Sequence, residues 1–260
     1  MTTAKTSRQK SAENDNVRNG VRRSALIAGV GILMIAALSI FANFIVLEQL
    51  VIPGDAATTA NDVLSSKGLF HWGITGWFLI AALDVMVAWA LFRVFRPVDR
   101  RLAMVGSWSR ALYGGVLLVA TTQLMDGLRL LGDSTASRTG VQAQALNKFE
   151  AFTDIWNVGL VLFGIHLLFA GYLAYRSGYV PKLVGAVVSI AGFGYLLDAT
   201  MRVVVDDPSF ELSVITGLGE FVLGVWLVSR SHRISLPATM QMDHGRSGNS
   251  LNRPATQATT

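Results

Sequence analysis

Cysteine is absent from this 260-residue chain, and charged residues are scarce. Without cysteine the chain can form no disulfide, no thiolate metal site and no cysteine nucleophile. Only 15% of the residues are charged, whereas soluble domains carry about 25%. Hydrophobic residues make up 52% of the chain, and the mean hydropathy is +0.45. This composition indicates a membrane protein rather than a soluble domain.

Several functional signatures are also missing. The apolar runs do not alternate with polar residues as the strands of a transmembrane barrel do, and no internal repeat of the transporter kind is visible. No Gly-x-Ser-x-Gly elbow, phosphate-binding glycine loop or His-Glu-x-x-His pair occurs. We therefore predict that the protein is not an enzyme and has no metal and no cofactor.

Six apolar runs approach or exceed the roughly 20 residues that a helix needs to cross the hydrocarbon core. They predict an all-α, polytopic integral membrane protein, with a six-helix transmembrane bundle over residues 24–230. The polar flanks, residues 1–23 and 231–260, show no apolar period and are expected to be disordered cytoplasmic tails. The predicted spans are residues 25–47, 69–92, 107–131, 152–175, 183–205 and 212–229.

The basic residues predict the orientation of the bundle. Seventeen of the 22 Lys and Arg, Arg110 among them, fall in or beside the two tails, the second-to-third connection and the fourth-to-fifth turn. Such a bias is typical of the cytoplasmic side, so both termini are predicted to be cytoplasmic. Short basic clusters between apolar runs also argue against nucleic-acid binding, despite the net charge of +5. The lipid bilayer is the predicted partner. An oligomer is compatible with the sequence, which identifies no protein partner or small ligand.

Ionisable residues inside the spans are the candidate site, because charge is expensive in hydrocarbon and is usually functional there. Two interpretations stand: structural clamps between helix ends, or an outward-facing polar cavity that binds a ligand or ion. Asp126 with Arg129, and Asp198 with Arg202, can pair along one helix face. Glu220 has no such neighbour and must pair across helices, meet water or be protonated. The candidates are Asp84, Asp126, Arg129, Asp154, His166, Asp198, Arg202 and Glu220.

A short basic turn, Arg176 to Lys182, joins the fourth and fifth spans. Gly178 can end the fourth helix in a left-handed conformation, and Pro181 can begin the fifth. Arg176 and Lys182 are expected to hold this hairpin on the cytoplasmic side. Gly185 and Ser189 form a small-x-x-x-small step that permits close helix packing.

The run from Phe163 through His166 to Lys182 resembles the bacterial membrane family called domain of unknown function 4386. Gly192 to Asp198, Gly219-Glu220 and Ser109 to Tyr113 are similar to the same family. The resemblance implies a six-helix protein of the bacterial cytoplasmic membrane and supplies no reaction or substrate. It adds weight to a set of positions, namely Arg110, His166, Tyr172, Arg176, Pro181, Asp198 and Glu220.

Two functions follow from the sequence. The first is a non-enzymatic structural, sensory or partner-binding membrane bundle, in which polar groups specify the packing. The alternative is a small transporter or ligand-binding membrane protein, in which Asp198, Glu220 and His166 line an outward-facing polar cavity.

Overall fold

The computed structural model describes the backbone of residues 2–132, 138–204 and 213–231, and the side chains of residues 18–132, 140–201 and 217–231. Every regular element in these ranges is helical, in agreement with the all-α prediction. In chain order the elements are α1 (Thr2–Ser39), a π-helical segment (Ile40–Leu47), α2 (Glu48–Leu50), α3 (Ala56–Ser65), α4 (Lys67–Phe95), α5 (Arg100–Gly132), α6 (Arg138–Arg176), α7 (Lys182–Val204) and α8 (Ser213–Arg230).

Five helical stretches in the described part of the chain are long and apolar enough to cross a membrane. They contain the first four predicted spans and most of the fifth. The sixth predicted span differs from α8 by one residue at each end. The five stretches are Arg18–Leu50, Lys67–Phe95, Arg100–Gly132, Gly140–Arg176 and Lys182–Met201.

The structure differs from the sequence-based expectation at the first tail and at the start of α6. Helix α1 begins at Thr2, although residues 1–23 were expected to be disordered. This segment contains six Lys and Arg residues, which favour helices, and no proline, so it can extend the first span without a break. Helix α6 likewise begins 14 residues before the predicted span. The second tail, residues 232–260, lies outside the described residues.

Six helices form a closed ring. Helix α1 packs against α4, and the contacts continue in order through α5, α6, α7 and α8 back to α1. Helices α5 and α8 are therefore on opposite sides of the ring rather than neighbours. At the closing contact, a Cβ added to Gly29 of α1 would lie 2.9 Å from the carbonyl oxygen of Gly224 of α8. Glycine at both positions allows the first and last helices of the ring to touch.

Helices α6 and α7 approach closely through small residues, as the Gly185–Ser189 step predicts. A Cβ added to Gly171 would lie 2.3 Å from Ser189 Oγ and 2.8 Å from the carbonyl oxygen of Gly185. A Cβ added to Gly192 would lie 2.8 Å from the carbonyl oxygen of Gly164. This hairpin therefore gains its stability from backbone-to-backbone packing.

Large apolar side chains cover the outside of the ring. Leu183 and Ile190 of α7 are 75% and 70% exposed, and Leu218 and Phe221 of α8 are also exposed. Charged groups lie at its centre, where Arg110 is fully buried. Such extensive apolar exposure marks a surface that something other than water covers, and lipid fits the predicted spans.

Candidate functional site: a buried charge cluster

Arg110 of α5 is the centre of a group of ionisable side chains from four helices. Its Nη2 lies 2.7 Å from Asp84 Oδ1 of α4. Its Nη1 donates a hydrogen bond to Glu220 Oε1 of α8 and lies 3.3 Å from His166 Nε2 of α6. All four residues are at most 8% exposed. We refer to Asp84, Arg110, His166 and Glu220 as the central charge cluster.

The four residues meet because they share one depth in the bundle. Helices α4, α6 and α8 end, and α5 begins, at the end of the ring that carries the α6–α7 turn. Counted from that end, each member of the cluster lies ten or eleven residues into its helix. A rise of 1.5 Å per residue places the layer about 15 Å deep, which is near the middle of a hydrocarbon core of roughly 30 Å.

The cluster links opposite sides of the ring. Helices α5 and α8 do not pack directly, yet Arg110 of α5 reaches Glu220 of α8 across the centre. A long side chain that carries several donors is needed for this span, and arginine provides both properties. The Arg110–Glu220 ion pair therefore fixes the position of α8 relative to α5, although these two helices do not pack extensively on each other.

His166 is held in one tautomer by its two partners. Its Nδ1 lies 2.8 Å from the carbonyl oxygen of Gly106, which can only accept a hydrogen bond. Nδ1 therefore carries the ring proton, and Nε2 accepts from Arg110 Nη1. A neutral imidazole in this tautomer supports the guanidinium without adding a second positive charge.

Asp84 lies close to Arg110, but no aligned hydrogen bond joins the two side chains. Its Oδ1 is 2.7 Å from Arg110 Nη2, but neither carboxylate oxygen accepts a hydrogen bond of normal geometry from a described residue. Arg110 Nε and Nη2 are likewise without aligned acceptors there. The two side chains are therefore in contact, and both carboxyl oxygens of Asp84 lack an aligned hydrogen-bond partner among the described residues.

Aromatic rings enclose one side of the cluster. The Arg110 guanidinium lies 5.2 Å from the centre of the Phe163 ring, within the range of a cation–π contact. Tyr113 and Tyr195 pack on Phe163 at 4.9 Å and 5.3 Å, and Trp156 Nε1 donates to the Tyr113 hydroxyl at 3.0 Å. From their sequence positions, Trp156 and Tyr195 would be expected at the membrane interfaces. In the structure they pack on other aromatic side chains inside the bundle.

Arg110 is the main correction to the sequence analysis. It was counted with the basic residues of the second-to-third connection, but its side chain is fully buried in the bundle. The signal that could have placed it was its distance of ten residues from the start of α5, which matches the depth of Glu220 and His166 in their own helices. The family resemblance singled out the position without assigning it a place.

The other candidate residues do not join the cluster. Asp126 and Arg129 pair at 3.5 Å as predicted, but their side chains are 43% and 70% exposed, so they do not clamp two helices together. Asp154 is exposed on α6. Asp198 is buried on α7 and has an interaction partner. The side chain of Arg202 lies outside the described residues, so the Asp198–Arg202 pair stays a prediction.

The α6–α7 turn forms a docked hairpin. Gly178 has a φ of 74°, the left-handed conformation expected for it. Pro181 directly precedes α7, and its carbonyl accepts the first helical hydrogen bond. The Tyr179 hydroxyl donates to the carbonyl oxygen of Val94 at the end of α4, at 2.6 Å, and burial raises the pKa of this phenol. The turn is thereby fixed to a third helix.

The two basic residues of the turn are exposed and stack on aromatic rings. Arg176 lies 5.7 Å from the ring centre of Tyr172 and donates a hydrogen bond to its hydroxyl at 3.1 Å. Lys182 lies 5.5 Å from the ring centre of Tyr175. Cations and amphipathic rings at one end of the bundle are typical of a membrane interface.

Arg110 is the cation that contacts the carboxyl groups of the cluster. Within the described ranges no three His, Asp or Glu side chains are placed to hold a metal ion together. The guanidinium of Arg110 stands between the two carboxylates and is their cation. A small cavity of about 10 Å³ lies beside His166 and is also lined by Phe95, Ala103 and Gly106.

Fold and site together define a helical, membrane-type protein with a buried charge cluster. The chain belongs to the family described as Domain of unknown function (DUF4386), which matches residues 27–231. It is also similar to an uncharacterized protein of Archaeoglobus fulgidus, with 33% identity over 164 residues, 63% of this chain and 86% of the relative. No solved structure matches the chain. The family resemblance is confirmed, and a bacterial source stays a prediction.

Proposed function

We propose that the protein is a six-span, multi-pass protein of the cytoplasmic membrane, non-enzymatic, with both termini in the cytoplasm. The central charge cluster acts as the lock of the bundle, which holds α8 at a fixed position for a structural, sensory or partner-binding role. The observation that carries this proposal is the complete burial of Arg110, with contacts to three other helices.

A lock of this kind specifies packing more than it adds stability. A buried ion pair offsets much of its attraction by the loss of hydration, but removal of one partner leaves an uncompensated charge. Alternative packings of α8 that separate Glu220 from Arg110 are therefore strongly disfavoured. Apolar contacts alone would discriminate less between neighbouring positions of a helix in lipid.

The length of α8 and its surface support a sixth span. Its 18 residues extend about 27 Å at 1.5 Å per residue, close to the thickness of the hydrocarbon core. Leu218, Phe221 and Val225 are exposed along it, while Glu220 points to the centre of the ring. With Arg110 assigned to the core, sixteen of the 22 Lys and Arg residues still favour cytoplasmic termini.

The alternative, a transporter or ligand-binding protein with an outward-facing cavity, has weaker support. Glu220 is paired with Arg110 rather than free for a ligand. The cavity beside His166 has about 10 Å³, and ligand sites have about 300–1,000 Å³. Since this cavity accommodates at most one water, we favour the lock as the account of these residues.

The absence of native cysteine allows a direct test by cross-linking. A Cβ at position 224 would lie 3.2 Å from Ile32 Cβ, so the pair Ile32→Cys and Gly224→Cys reports the α1–α8 contact. As the matched control, a Cβ at position 76 would lie 3.4 Å from Ala42 Cβ, which reports a contact of α4. Both separations are near the 3.5–4.5 Å of a disulfide.

We expect Arg110→Met to reduce disulfide formation at the 32–224 pair several-fold and to leave the 42–76 pair unchanged. The physical reason is that α8 loses its fixed position while the π-helical segment and α4 keep their own packing. Equal yields at the 32–224 pair with and without Arg110 would refute the lock. Loss at both pairs would show general unfolding, and Arg110→Lys, which keeps the charge, then serves as the second variant. A lock requires that Lys restore part of the 32–224 yield.

A further inference from the structure

We propose that the central charge cluster is a proton-binding site, in which the Asp84–Glu220 carboxyl pair holds one exchangeable proton. The inference rests on the proposed lock, because it concerns the charge state in which that lock is closed. The first observation is the balance of charges within the cluster. With both carboxylates ionised, Asp84 and Glu220 carry two negative charges and Arg110 one positive charge.

Within the part of the chain that the structure describes, no second cation contacts the two carboxyl groups. Among the described residues, Arg110 is the cation that contacts Asp84 and Glu220. An unbalanced negative charge near the middle of a hydrocarbon layer is strongly disfavoured. One bound proton makes the cluster neutral. The groups of the cluster that could hold it are His166 and the two carboxyls.

His166 does not hold the proton. Its Nδ1 already donates to the carbonyl oxygen of Gly106, so added protonation would place an N–H on Nε2. That N–H would point at Arg110 Nη1, 3.3 Å away, where a donor and a positive charge already stand. The imidazole is therefore neutral, and it accepts from Arg110.

The other titratable groups around the cluster do not supply a charge. Helix α5 adds Tyr113, whose hydroxyl accepts a hydrogen bond from Trp156 of α6, and α7 adds Tyr195 against Phe163. Phenols with an ordinary pKa of about 10 are neutral at physiological pH. The proton is thus left to the two carboxyls.

The geometry indicates different protonation states for the two carboxyl groups. Glu220 accepts an aligned hydrogen bond from Arg110, as an ionised carboxylate does. Both oxygens of Asp84 lack an aligned donor among the described residues, so one of them is free to carry a hydrogen. Because the groups share one arginine, the proton is best assigned to the pair, with Asp84 as its main holder.

Infrared spectroscopy of the full-length protein in lipid nanodiscs tests the site. A protonated carboxyl gives a C=O stretching band that a carboxylate lacks. We expect the wild-type-minus-Asp84→Asn difference spectrum at neutral pH to contain this band, with the deuterium shift that marks an exchangeable proton. We expect the same band from Glu220→Gln. In each single variant one carboxylate remains for one arginine, and no proton is needed.

Asp154→Asn is the matched control, because Asp154 is exposed on α6 and its removal should leave the band unchanged. Absence of the band from both cluster differences would overturn the proposal. If a sodium ion balanced the charge instead, the band would be absent and thermal stability would depend on Na⁺ at constant ionic strength, which also overturns it. These outcomes are separable from failure of the lock, which the cross-linking yields report independently.

Discussion

Replacement of Arg110 by Met should destabilise the bundle severely at neutral pH and less at acidic pH. Methionine is similar in length and fills the central space, but it has no charge and no donor. Asp84 and Glu220 then face each other across a buried, apolar environment. Two protons must then bind for the cluster to be neutral, on the two carboxyls or on one carboxyl and His166, whereas the wild type needs only one.

The magnitude follows from this second proton. Protonation of a carboxyl with an ordinary pKa of about 4 costs about 4 kcal/mol at pH 7, because each pKa unit corresponds to about 1.4 kcal/mol. The charged hydrogen bond from Arg110 to Glu220 contributes about 1.5–3 kcal/mol more. The expected loss of unfolding free energy is at most about 5–7 kcal/mol, and it is smaller where His166 binds the second proton.

The pH dependence has a definite sign. In the Arg110→Met variant, the folded state binds two protons at the cluster, and the unfolded state at pH 7 binds none. Stability therefore rises as the pH falls, by at most about 2.8 kcal/mol per pH unit for two protons and about 1.4 kcal/mol relative to the wild type. Acidification from pH 7 to pH 5 should thus restore about 3 kcal/mol of the difference.

Thermal unfolding of the purified protein in one detergent, followed by circular dichroism between pH 5 and pH 7.5, measures this effect. Arg129→Met is the control, because the exposed Asp126–Arg129 pair is worth at most about 1 kcal/mol. Two results would refute this prediction. One is that Arg110→Met unfolds at the wild-type temperature at pH 7, and the other is that acidification does not reduce the difference between the two unfolding temperatures.

Three further predictions concern packing, the turn and topology. Gly171→Val should separate α6 from α7 and cost about 1–3 kcal/mol or more, because a Cβ there meets Ser189; Gly115→Val, with nothing within 4 Å, is the matched control in the same unfolding assay. Gly178→Ala should lower the unfolding free energy by about 1–2 kcal/mol, since its φ is 74°. A periplasmic reporter fused after Arg230 should be inactive and a cytoplasmic reporter active; the reverse result would contradict the topology.

The sequence predicts the helices well because apolar length is a local property. The spans over α4, α7 and α8 lie within a few residues of the observed helices, and the Gly178 conformation follows from the turn itself. Helix ends outside the apolar runs, such as the start of α6, were missed because hydropathy does not mark where a polar helix begins.

The site was harder to predict, because a sequence shows pairs along one helix and not pairs across a ring. Asp126 and Arg129 were paired correctly from their spacing. Glu220 was predicted to pair across helices, meet water or be protonated, and Arg110 had been counted with the basic residues of the second-to-third connection. Which helices face each other depends on the closure of the ring, and no local pattern contains that information.

Closure of the ring by α1 and α8 sets an order for biosynthesis. The ribosome makes α4, α5 and α6 before α8, so Asp84, Arg110 and His166 enter the membrane while Glu220 is still unmade. During that interval Arg110 of α5 has Asp84 and His166 beside it but not yet Glu220 of α8. A chain that ends before α8 therefore lacks Glu220, the carboxyl that contacts the buried Arg110.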